Sequence, residues 1–147
     1  MSDNQYQIFL SFKDIDDNGN RTNIFHIAEQ IYDSLEIRGY KVFYAPSVLN
    51  GMVGQEIAPT IEHALESFKL QILVFSNADE VNSEWMKYEW KYFLRNKKTI
   101  LPVLVDSDYP DNNSMPFEIR KLQYCQITDD FSYEKLIKTV ESVMSDR

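Results

Sequence analysis

Cysteine occurs once and histidine twice in 147 residues, and 15 basic residues face 23 acidic ones. A single Cys125 excludes an intrachain disulfide. With only His26 and His63 beside it, too few soft ligands remain for a zinc site, so no metal is expected. No apolar run approaches the roughly 18 residues a membrane-crossing helix needs. The opening Met-Ser-Asp-Asn-Gln lacks the basic and apolar regions of a signal peptide, and a cytoplasmic location is expected. A formal charge of −8 and a pI near 4.7 argue against nucleic acid or an anionic membrane as partner. What is present is apolar matter: 44% hydrophobic and 14% aromatic residues, too much for a disordered chain and enough for one domain over 1–147.

Periodicity orders the chain. A strand over Tyr6–Phe12 leads through a polar loop to a helix carrying Ile24, Ile27, Ala28, Ile31 and Leu35, stopped at Gly39. Tyr40–Tyr44 is a second strand, and 46–54, with two glycines, is an irregular loop. Ile57, Ile61, Ala64, Leu65 and Phe68 predict a second helix, Ile72–Phe75 a third strand, and 84–95 a third helix. Thr99–Val105 is a fourth strand, Gln123–Ile127 a fifth, and Tyr133–Met144 closes the chain as a helix. Alternating helices and continuously apolar strands predict an α/β fold, a parallel sheet covered on both faces. Ligands of such folds gather where strands end, at the loops after Phe12, Tyr44 and Phe75.

The stretch from Ser76 to Trp90 carries an anomaly. Ser83 is placed to cap the third helix, on which Trp85, Met86, Tyr88, Trp90, Tyr92 and Phe93 share one arc while Lys87, Lys91 and Arg95 lie opposite. Glu89 falls about 40° from Trp85, inside the aromatic arc. A carboxylate there is costly to desolvate unless a Lys or Arg pairs with it or a site uses it. Both readings are open from spacing alone. Trp85 is equally a core residue or a stacking surface, Lys13 a solvated charge, Ser83 a plain cap, and Cys125 a core residue.

Two other patterns fail. Asp14-x-Asp16-x-Asn18-Gly19 begins like an EF-hand loop, but its twelfth position is Phe25, where a bidentate Glu belongs. A receiver-type pocket needs an Asp ending the third strand, where Ser76-Asn77 stand. Met52 and Val53, apolar residues displayed between glycines, suggest a contact surface.

Over essentially its whole length the chain resembles a Toll/interleukin-1 receptor (TIR) domain of bacterial type, like the stand-alone TIR proteins of Thoeris-like antiphage defence. The likeness rests on Phe9-Leu10-Ser11-Phe12-Lys13, on Arg21-Thr22 with Phe25, and on Gly54, Ile57, Ile61, Ala64 and Ser67. It rests most on Ser76-Asn77 followed by Ser83-Glu84-Trp85-Met86-Lys87-Tyr88-Glu89, a Ser-x-Trp-x-x-x-Glu pattern. The resemblance implies a flavodoxin-like fold with a five-stranded sheet. It also implies one of two roles: a non-enzymatic adaptor or host-signalling mimic, or an enzyme cleaving NAD at the nicotinamide–ribose bond, with NAD as substrate and no cofactor. In the second role Glu89 would be catalytic and Phe12, Lys13, Leu49, Ser83 and Trp85 would bind substrate. Partners implied are NAD, other TIR domains through the 46–54 loop, and a separate effector sensing the product. Two departures stand out: Ala45 replaces the usual acidic residue, and the 46–54 loop is longer than usual for the family by about two residues.

Overall fold

The computed structural model describes residues 7–12, 24–45, 68–105 and 114–145. Within them lie five strands, β1 (Ile8–Ser11), β2 (Val42–Ala45), β3 (Leu70–Phe75), β4 (Thr99–Val105) and β5 (Cys125–Ile127). Five helices join them: α1 (Ile24–Ile37), α2 (Ala78–Asn82), α3 (Glu84–Arg95), α4 (Phe117–Arg120) and α5 (Asp130–Ser145). The strands form one parallel sheet in the order β2-β1-β3-β4-β5, the flavodoxin-like arrangement.

β1 and β3 are buried at every position because each of their faces meets a helical layer. Ile8, Leu10, Ile72, Val74 and Val103 pack with Ile24, Ala28, Ile31 and Leu35 of α1 and Leu136, Ile137 and Val140 of α5. The alternate positions Phe9, Leu73, Phe75 and Leu104 pack with Val81 of α2 and Met86, Trp90 and Phe93 of α3. Phe9 is the hub of the second layer, with ring centroids 5.1 Å from Phe68 and 6.0 Å from Phe93. Pro102, in β4, precedes the stretch that pairs with β5, so its missing N–H leaves that ladder whole.

Both long central helices stop by the same device. After α1 the Tyr40 N–H bonds Leu35 O and the Gly39 N–H bonds Glu36 O, with Gly39 at φ 93°. After α3 the Lys98 N–H bonds Phe93 O and the Lys97 N–H bonds Leu94 O, with Lys97 at φ 57°. Glycine takes this left-handed conformation freely; lysine does not.

Several sequence expectations change. The polar turn after β3 contains a short helix, α2, and α4 adds another before β5. The closing helix begins at Asp130, earlier than periodicity suggested. The helix expected over 57–68 lies outside the described residues except for Phe68, which is buried and non-helical just before β3. Cys125 is half-buried at the edge of the α1/α5 core. No helix among the described residues is long and apolar enough to cross a membrane.

Candidate active site

The chain leaves β1 for β2 on one side of the sheet, and β3 lies on the other. The carboxyl ends of β1 and β3 therefore border the topological switch point, where open α/β sheets bind ligands. Ser11 is the last residue of β1, in register with Ala45 of β2 and Leu73 of β3. It faces the same layer as Phe9, towards α3.

α3 runs down this face antiparallel to β1, and the two repeats nearly match. Four helical residues rise about 6 Å and two strand residues about 6.6 Å. Thus Phe93 meets Phe9, and one turn earlier Glu89 meets Ser11. The Ser11 Oγ donates to Glu89 Oε1 at 2.5 Å, joining residues 78 apart in sequence. Glu89 is 1% exposed, and its Oε2 has no partner among the described residues. Burial pushes its carboxyl up from the ordinary 4.5 to about 8, against the opposing pull of the Ser11 hydrogen bond. Among the described residues no Lys or Arg forms the ion pair that spacing left open; a hydroxyl stands in its place.

The start of α3 is set by α2. Asn77 caps α2 by accepting from the Glu80 N–H at 3.0 Å, and the Glu80 carboxylate accepts from the Ser76 N–H at 2.7 Å. This reciprocal arrangement accounts for Ser76-Asn77 and for the burial of Glu80. Trp90 Nε1 donates to Val81 O at 2.9 Å, which fixes the angle between α2 and α3.

Ser83 occupies the N-cap position of α3, and its carbonyl accepts from the Lys87 N–H at 2.9 Å. Its side chain makes no capping bond, contrary to the sequence expectation. The hydroxyl donates instead to Glu80 O at 2.8 Å, the same carbonyl that accepts from the Ser83 N–H at 3.2 Å, so both Ser83 donors close the end of α2. Phe12, at 3% exposure, packs with Ile8 and Leu10 in the α1/α5 layer, on the face opposite to Ser11 and Glu89. Trp85 lies in the first turn of α3, one turn before Glu89, with its side chain outside the described set. Lys13, Leu49 and the 46–54 loop with Met52 and Val53 also lie outside the described residues, as does the side chain of Ala45. Ser11 is absent from the candidates that motif spacing supplies. Its one signal is a hydroxyl in the otherwise apolar run Ile8–Phe12.

Chemically, the arrangement offers a buried carboxyl group with one oxygen anchored to a central strand and the other without a partner among the described residues. Such a group can switch between neutral and ionised states when a charged ligand arrives.

The family model described as TIR domain matches residues 8–140. No curated protein matches the sequence. Among solved structures, a metazoan TIR-STING receptor from C. gigas, determined in complex with 2′,3′-cGAMP, superposes with a TM-score of 0.61 at 23% identity. That match covers 92% of this chain and 39% of the receptor chain, so this chain spans well under half of the receptor's length.

Proposed function

The chain belongs to the TIR domain family, and on that premise we propose that it is an NAD-consuming enzyme that breaks the nicotinamide–ribose bond. The observation that carries the reading is Glu89, a buried carboxyl whose Oε2 has no partner among the described residues and whose Oε1 accepts a hydrogen bond from a serine. A glutamate kept there for stability alone would be better served by a basic partner or by an apolar replacement.

Most glycosidases need two carboxyl groups, one of them to protonate the departing oxygen. Nicotinamide departs from NAD differently. The C1′–N1 bond breaks, its electron pair returns to N1, and a cationic pyridinium leaves as a neutral molecule. No proton is delivered, so one carboxylate suffices to stabilise the oxocarbenium-like ribose. Water adding to C1′, with loss of a proton, gives ADP-ribose; attack by a nucleophile of the same molecule gives a cyclic isomer.

Glu89 suits this step once ionised. At neutral pH only about a tenth of a carboxyl titrating near 8 is charged. A pyridinium cation within a few ångströms favours the charged form by one to three pH units, roughly enough to expel the proton as substrate binds. Trp85, one turn away, is placed by sequence to stack on a flat cationic ring, and Lys13 to offset pyrophosphate charge. Phe12, Leu49 and Ser83 complete the proposed substrate set; Phe12 and Ser83 would have to leave their present contacts to reach it. In the wider setting we place the protein among bacterial-type TIR proteins of the cytoplasm. It would make an ADP-ribose-type signal, cyclic or linear, for a separate effector in Thoeris-like antiviral defence, and would assemble through the 46–54 loop.

A specific observation favours a second reading. At 1% exposure Glu89 is out of reach of solvent, as a purely structural residue would be. A non-enzymatic adaptor or host-signalling mimic acting through TIR–TIR contacts is that reading. The deciding experiment incubates concentrated protein with NAD, beside Glu89→Gln, with HPLC and mass spectrometry of the products. Nicotinamide release that falls at least about 100-fold in the variant supports the enzyme, and a product lighter than ADP-ribose by one water identifies a cyclic signal. Absence of release at high concentration with a crowding agent, or undiminished release by the variant, overturns it in favour of the adaptor.

A further inference from the structure

We propose that Ser11 is the positioning residue for Glu89: its hydroxyl fixes Oε1 to the end of β1 and leaves Oε2 as the oxygen that meets the substrate. This inference rests on the reading of Glu89 as the catalytic group.

Four observations converge. Ser11 is buried, yet it follows Ile8, Phe9 and Leu10, each fully buried and apolar, so packing alone would place an apolar residue there. Among the described residues its side-chain hydroxyl has one hydrogen bond, and that bond goes to Glu89. β1 is paired on both sides, by β2 and β3, so the anchor moves only if the centre of the sheet moves. Finally, the two carboxyl oxygens are inequivalent: Oε1 is held by Ser11, and no described residue holds Oε2.

A serine is suited to this place in a way that a basic residue is not. A hydroxyl donates to a carboxylate and accepts from a carboxylic acid, so the contact survives both protonation states. A lysine would lock Glu89 as a permanent anion and occupy the site with its own charge. The elements packed on Glu89 support this division of labour. β1, β3 and β4 contain no ionisable side chain. On α3, Lys87, Lys91 and Arg95 lie on the far side, and Tyr88 and Tyr92 flank the aromatic face. On α2, Asp79 is exposed and Glu80 is engaged by Ser76. Among the described residues, Ser11 is thus the one polar group bonded to the carboxyl.

The test uses Ser11→Ala and Ser11→Thr in the full chain, with thermal unfolding to confirm that both fold. Two readouts are taken: the titration midpoint of the Glu89 carboxyl, from carbon-13 NMR assigned by its loss in Glu89→Gln, and kcat and KM for NAD across pH. The inference expects Ser11→Ala to raise the midpoint above that of the native protein by roughly half a unit or more. It also expects kcat to fall about 10- to 100-fold with KM little changed, and Ser11→Thr to recover most of both. An unmoved midpoint in Ser11→Ala overturns the inference, and so does equal damage from both variants, which would mark a packing effect. If the native protein cleaves no NAD, the proposed function falls instead, while the carboxyl titration still decides whether Ser11 governs Glu89.

Discussion

Replacing Glu89 by glutamine removes a titrating proton while keeping the shape of the side chain, and the consequence for stability can be worked out. In the folded protein the carboxyl titrates near 8; in the unfolded chain it returns to the ordinary 4.5. Between those values the native state holds a proton that the unfolded state has released, so native stability falls as pH rises. The contribution of Glu89 is fully present below pH 4.5 and is lost as pH climbs through 8. The slope is about 1.4 kcal/mol per pH unit, and over the whole window it amounts to roughly 5 kcal/mol. Near pH 7 the accumulated cost is about 3 kcal/mol, a large share of a small domain's stability. Glutamine carries no such cost, and its Oε1 still accepts from Ser11. The assay is urea unfolding of both proteins at intervals from pH 4.5 to 8.5. The difference between them, in which all other titrating groups cancel, should swing towards the variant by several kcal/mol as pH rises. A pH-independent difference would refute the reasoning, because Glu89 would then titrate alike in the folded and unfolded chains. Confirmation would also mean that the proposed catalytic group is maintained at the expense of stability, as strained sites in enzymes commonly are.

Two further outcomes follow from the fold. Gln71 is buried on β3 with neither side-chain polar atom hydrogen-bonded among the described residues, so Gln71→Met should stabilise the protein by about 1–2 kcal/mol in urea unfolding; a destabilised variant would mean that the amide has a partner. Lys97 holds a left-handed backbone at φ 57° at the end of α3, and Lys97→Gly should raise stability by about 0.5 kcal/mol, the relief of strain outweighing the added freedom of the unfolded chain. A loss of stability on that substitution would place the burden elsewhere in the Lys97 side chain.

The alternation of apolar strands and helical stripes was enough to assign the α/β class, because burial on two faces writes itself into continuous apolar runs such as Ile72–Phe75. The bounds of α3 were equally legible, since its aromatic arc and its charged face are a local, periodic property. Glu89 was identified from spacing as a misplaced charge, and the TIR resemblance came from motifs within short segments. Short elements were not legible: α2, at five residues, is held by Asn77, Glu80 and Trp90, whose bonds reach across a turn and between helices.

What only the tertiary structure decided is how that charge is treated. Spacing left Glu89 either paired with a base or used by a site. The parallel order β2-β1-β3-β4-β5 brings α3 antiparallel to β1, and that crossing sets Ser11 against Glu89. The same pleat sends Phe12 to the other layer and Ser11 to this one, although the two are neighbours in sequence. Periodicity along the chain reports which residues leave water. Which of them meet, and whether a buried acid keeps its proton, depends on register between elements 78 residues apart, and no local pattern encodes that distance.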